Sequence, residues 1–86
     1  MKISYLPRVE KDLRKISKLG QIAIANKLKT LGDEASGVEE IKLKGYKNIF
    51  RVRIGDYRMV YEKSKDEITI IIVGHRKDVY KILNYL

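Results

Sequence analysis

The chain has 86 residues, 19 of them Lys or Arg against 11 Asp or Glu, giving a net charge of +8 and a pI near 9.8. That length suits one domain, residues 1–86, and the charge favours phosphate-rich or acidic partners, although a basic solvated surface would look the same. The absence of cysteine excludes disulfides, thiolate metal sites and cysteine nucleophiles, and the single histidine, His75, argues against a protein-only zinc site.

In chain order, Lys2–Tyr5 alternates polar and apolar residues, as a half-buried strand does. Pro7 suits the first turn of a helix, and Val9, Leu13 and Ile16 continue it at i, i+4 and i+7 until Gly20, a plausible stop. Ile24, Leu28 and Leu31 form the stripe of a second helix before Gly32, so the two make an αα-hairpin. Its outer surface carries Arg8, Lys11, Arg14, Lys15 and Lys18 with Glu10 and Asp12 between them, a pattern ordinarily explained by solubility. Residues 32–39 read as a loop and residues 40–44 as a candidate short strand before Gly45. Three β signals follow at residues 50–54, 57–63 and 68–73; the last is a nearly continuous apolar run suited to the middle of a sheet. Val79, Ile82, Leu83 and Leu86 have helical spacing, with Asp78 as a candidate N-cap. The order reads β-α-α-β-β-β-α, an α+β domain with the helical hairpin packed on an antiparallel sheet. The N-terminus has no apolar stretch of signal-peptide length and no segment approaches a membrane span, so a cytoplasmic protein without membrane contact is expected.

Gly55-Asp56 between two alternating runs predicts a two-residue type II′ hairpin loop, and this fixes a register. Ile54 faces Tyr57, Val52 faces Met59 and Phe50 faces Tyr61, making one sheet face apolar. On the other face Arg51 meets Val60 and Arg53 meets Arg58. Opposed like charges cost roughly 0.2–1 kcal/mol. Salt screening can make that tolerable, but three guanidiniums on a rigid sheet also form a cradle of phosphate size with bidentate donors. Lys42, Lys44 and Lys47 could extend such a cradle along a nucleic-acid backbone, or simply be solvated.

A second cluster lies at residues 73–80, VGHRKDVY. His75 and Arg76 precede the last helix, where positive charge opposes the helix dipole unless an anion compensates. A lone histidine at a strand end is more often a hydrogen-bonded surface group than a catalyst. Tyr80 lies off the apolar stripe, free to stack on a base, donate to a phosphate or cap the core.

The ordered set K-L-K-G, F-R-V-R-I, G-D-Y-R-M-V-Y and I-I-I-V-G-H-R-K-D-V-Y resembles the RelE/ParE superfamily of toxins from type II toxin–antitoxin modules, most specifically over residues 42–80. The resemblance implies a small α+β domain with a helical hairpin on an antiparallel sheet. RelE-type members cut messenger RNA in the ribosomal A site, whereas ParE-type members share the fold and inhibit DNA gyrase. Carried over, the RelE-type site falls on Arg51, Arg53, Arg58, Arg76 and Tyr80, which favours the nuclease branch. The implied reaction is attack by an RNA 2′-hydroxyl on the adjacent phosphate, with no metal or cofactor. Lysines usually stand where this chain has Arg51 and Arg53, and arginine is a poor general base, so His75 becomes a candidate for that role. The implied partners are a cognate antitoxin, in a toxin–antitoxin hetero-oligomer, and the ribosome with its mRNA. Gyrase inhibition and non-catalytic nucleic-acid binding are the competing functions.

Overall fold

The alternation of the first residues and the proline after them produce β1 (Lys2–Tyr5) and α1 (Pro7–Arg14) in the computed structural model, which describes residues 2–31 and 40–83. The expected loop at residues 32–39 and the last position of the C-terminal stripe, Leu86, lie outside the described residues. Leu6 is extended, as a residue before proline tends to be, and α1 carries the i,i+4 pairs Arg8–Asp12 and Arg14–Glu10.

The second helix, α2 (Lys18–Leu31), begins earlier than the sequence suggests. Gly20 is not a stop but sits in the first turn of α2, where the Ser17 hydroxyl accepts its N–H at 3.1 Å. The glycine is there for close approach: a Cβ would lie 2.6 Å from Ile16 Cγ2 and 2.9 Å from Tyr57 Cε2. Gln21 Nε2 closes the corner by donating to the carbonyls of Leu13 at 2.7 Å and Ile16 at 3.2 Å.

Four strands follow, one more than the expected element order counts: β2 (Glu40–Lys42), β3 (Ile49–Ile54), β4 (Tyr57–Lys63) and β5 (Glu67–His75). The chain ends its described part in α3 (Arg76–Leu83). The sheet order is β1-β5-β4-β3-β2. The class is α+β as expected, but the sheet is mixed, because β1 pairs with β5 in parallel. Tight turns impose antiparallel pairing only from β2 to β5; β1 is separated from the meander by the whole helical hairpin, long enough for a parallel return.

Every residue pair predicted for β3 and β4 is observed, including Arg53 opposite Arg58. Gly55 has φ +59, and among the described residues no non-glycine has positive φ, which fits a type II′ loop and not type I′. On one side of the sheet, Val9, Ile16, Ile24 and Leu31 of the hairpin segment pack against Val52, Ile54, Met59, Tyr61, Ile68, Ile70 and Val73. On the other side, Val79 of α3 covers Val60 and Ile72. The arginine-bearing face is therefore partly roofed by a helix. Among the described residues no helix is long and apolar enough to cross a membrane.

Candidate nucleic-acid site

β3 and β4 deliver Arg51, Arg53 and Arg58 to the sheet face that α3 partly covers, because the two-residue turn sets their register. Arg58 is the one charged or polar side chain that is buried among the described residues, at 8% exposure. It survives there because its donors are engaged: Nε donates to Tyr80 Oη at 3.1 Å, and Nη1 to the carbonyls of Gly55 at 3.0 Å and Tyr57 at 2.9 Å. These contacts turn one member of the opposed Arg53–Arg58 pair away from open water. Arg53 itself remains exposed.

Tyr80 is the centre of the arrangement. The Arg51 guanidinium carbon lies 5.4 Å from its ring centroid and that of Arg58 5.9 Å, both within cation–π range. Arg76 precedes Tyr80 by four residues on α3, hence on the same helix face. The hydrogen bond from Arg58 holds the phenol below its ordinary value, desolvation works against it, and the charges of Arg58, Arg51 and Arg76 add to the lowering. A 36% exposed phenol is thus acidified on an open surface.

The start of α3 explains why Tyr80 arrives there. Asp78, the candidate N-cap, is the third residue of the helix; the capping position belongs to His75, whose Nδ1 accepts the Lys77 N–H at 3.3 Å. The Arg76 N–H donates to the Asp56 carbonyl at 2.9 Å, tying the helix start to the β3–β4 turn. His75 is opposite Tyr57 in register, and its ring meets the Tyr57 ring edge-on at 6.3 Å. Tyr57 packs with the hairpin-side core, so His75 lies on the reverse of the sheet from Tyr80 and the arginines.

Register likewise separates the lysines. Lys42 pairs with Phe50, which packs with the hairpin-side core, while Ile41 is beside Arg51. Lys44 and Lys47 are exposed in the segment joining β2 to β3. The structure therefore gathers Arg51, Arg58, Arg76 and Tyr80, holds Arg53 next to them in the sheet, and leaves His75 and Lys42 on the other side. Sequence reasoning missed the carbonyls of Gly55, Tyr57 and Asp56, which hold Arg58 and α3; backbone acceptors leave no mark in a sequence.

Residues 3–80, ending on Tyr80 itself, match the family model described as the ParE toxin of type II toxin–antitoxin systems, parDE. The chain belongs to the RelE/ParE toxin superfamily. Toxin RelE3 of Methanocaldococcus jannaschii is 46% identical over 39 residues, a stretch covering 45% of this chain and 44% of that protein. The toxin in the RelB–RelE antitoxin–toxin complex from Methanococcus jannaschii superposes with a TM-score of 0.76 at 26% identity, over 92% of this chain and 96% of that one. Isolated RelE of E. coli shares the fold, with a TM-score of 0.69 at 19% identity over 99% of this chain and 98% of that one.

Proposed function

We propose that this toxin is a metal-independent endoribonuclease that cuts messenger RNA in the ribosomal A site and so inhibits translation. The observation that carries this reading is the set of arginines assembled around an acidified tyrosine on one sheet face. RNA supplies its own nucleophile, so the protein has to align the 2′-hydroxyl with the leaving oxygen, stabilise the added negative charge and handle two protons.

In this reading Arg53 and Arg51 hold the phosphate, Arg53 being exposed and Arg51 half-buried against Tyr80. Arg58, fixed by three hydrogen bonds, contributes preorganised charge at no reorganisation cost during the reaction. The 2′-oxygen bonds to phosphorus as the bond to the 5′-oxygen breaks, leaving a 2′,3′-cyclic phosphate and a 5′-hydroxyl. Tyr80 orients the substrate, and its lowered pKa makes it the group on this face best suited to exchange a proton. Arg76 stands by the leaving oxygen. His75 is assigned to capping α3 on the basis of its Nδ1 contact and its position behind the sheet. Lys44 and Lys47 are assigned to backbone contacts away from the scissile phosphate, and Lys42 to the rim of the same edge. A cognate antitoxin is the expected partner, as in the RelB–RelE complex that this chain resembles.

The test is toeprint mapping of an mRNA in a reconstituted translation reaction, comparing wild type with the Arg53→Ala/Arg58→Ala double variant. Cuts at A-site codons that vanish in the variant are expected. A folded wild type that makes no cuts would transfer the reading to gyrase inhibition, which the ParE family match favours, and a DNA supercoiling assay would then detect it.

A further inference from the structure

The edge of the sheet beyond Arg51 carries an apolar side chain that neither core takes in. Ile41, the middle residue of the three-residue strand β2, is 56% exposed. It is paired with Arg51, so it projects from the arginine face, as does Leu43 two residues on. Leu43 packs with the Val60, Ile72 and Val79 cluster, whereas Ile41 lies outside it. A β-branched residue suits a strand, but threonine would suit this one equally, and an exposed apolar side chain on an edge strand invites pairing with other chains.

Short as it is, β2 is held firmly. From its reverse face the Glu40 carboxylate reaches across β3 to β4, accepting from the Tyr61 hydroxyl and from Lys63 Nζ, the latter at 3.0 Å. Tyr61 has no exposure and Lys63 Nζ also lies 5.7 Å from the Phe50 ring centroid, so the anchor belongs to the packed side of the molecule. Ile41 is therefore presented on a rigid backing. Tyr80 accepts a hydrogen bond from Arg58 of β4, so its ring stands on the β4 flank of Arg51, 5.4 Å from that guanidinium. Ile41 stands on the β2 flank. The two strands are two spacings apart, about 10 Å. Arg51 thus has an exposed aromatic surface on one side and an exposed aliphatic one on the other, with Arg53 exposed beside it in β3.

We infer that Ile41 is a base-contacting, specificity-determining residue of the arginine face: its side chain packs against one nucleobase of a bound RNA, the one lying on the flank of the Arg51-held phosphate away from Tyr80. A phosphodiester has a nucleoside on each side, so a strand whose phosphate is held by Arg51 and Arg53 lays one base toward Tyr80 and the other toward Ile41. Contact with the face of a base tolerates any sequence, and its preference follows stacking area, so a purine covers Ile41 better than a pyrimidine does. RNA also satisfies the positive charge on either side of the isoleucine. The inference rests on the reading of the arginine face as an RNA site; it does not need that face to cut.

The probe is the 2′-O-methyl trinucleotide of adenosine, which lacks the attacking hydroxyl, titrated into the full chain with labelled isoleucine methyl groups. Expected are a saturable shift of the Ile41 methyl signal and a Kd raised about three- to tenfold by Ile41→Thr and restored by Ile41→Tyr. When each base in turn is replaced by an abasic sugar, one replacement should weaken wild type by a similar factor and cost Ile41→Thr nothing more, the non-additivity of a direct contact. Uracil at that position should weaken wild type and leave Ile41→Thr unchanged. Threonine and tyrosine both suit an exposed strand position, and the circular dichroism of both variants should match that of wild type. Four results would overturn the proposal: no saturable binding by the folded protein, an unmoved Ile41 signal, equal affinity of Ile41→Thr and wild type, or additive losses at every base. The expected binding by a wild type that makes no A-site cuts would remove the nuclease reading alone. A-site cuts by wild type, with trinucleotide affinity unchanged in Ile41→Thr, would remove this inference alone.

Discussion

The two sides of the sheet are built to different ends. The hairpin side is an apolar core running from Val9 to Val73, in which Met59 and Tyr61 have no exposure at all. Among the described residues, the α3 side buries Val60, Ile72 and Val79, and beside them it keeps a guanidinium out of water with three hydrogen bonds. One side supplies stability through apolar area removed from water; the other holds charge at fixed positions on a rigid backing. Changes on the first should therefore alter unfolding, and changes on the second should alter activity.

The sharpest break between the two comes from Arg58. Arg58→Ala should lower single-turnover cleavage of ribosome-bound mRNA by about 10²–10³, as loss of a preorganised donor does, while the far-ultraviolet spectrum remains that of a folded chain. On the core side, Met59→Ala should cost about 2–5 kcal/mol in denaturant unfolding, the range for emptying a packed site. Gly20→Ala should cost about 1–3 kcal/mol by the opposite error, because its Cβ would lie within 3 Å of both Ile16 and Tyr57 side-chain carbons. Val79→Ala on the thinner side should cost nearer 1.6 kcal/mol, two methyl groups' worth, and should also slow cleavage because α3 positions Tyr80.

The smallest effect is spectroscopic. Tyr80 ionises more readily than an ordinary phenol, whereas burial and the hydrogen bond to Glu40 hold Tyr61 far above that range. A depressed folded pKa means that the native state gains stability as pH rises through the Tyr80 titration toward the ordinary tyrosine value. The raised Tyr61 works the other way, its contribution being full below the ordinary value and lost as pH rises above it. In an absorbance titration at alkaline pH, Tyr80→Phe should remove an early-ionising tyrosine and leave the late, unfolding-linked step in place.

Much of this organisation was legible in the residues. A period of two on either side of Gly55-Asp56 fixes which side chains oppose one another, so the β3–β4 register and the Arg53–Arg58 pair followed directly. What stayed hidden depends on contacts between segments distant in the chain. The Val79, Ile82, Leu83 stripe shows that α3 has an apolar side, but not which sheet face it covers, so the roof over Arg58 could not be read. Gly20 has the composition of a helix stop, and only the approach of Tyr57 from β4 reveals why a glycine is needed inside α2. His75 and Arg76 are adjacent in sequence, yet the pairing of His75 with Tyr57 puts its ring behind the sheet. Tyr80 stands out in the sequence because it falls off the stripe; its bond to Arg58, 22 residues away, depends on the packed helix.

The comparison of sides is tested most directly by the pH dependence of mRNA cleavage in the reconstituted ribosome reaction for Arg58→Ala and His75→Gln beside wild type. His75→Gln is expected to keep the wild-type rate and profile, and Arg58→Ala to fall by about 10²–10³ across the range. Loss of the profile in His75→Gln, with Arg58→Ala still cutting, would place the chemistry on the hairpin side of the sheet and contradict that expectation.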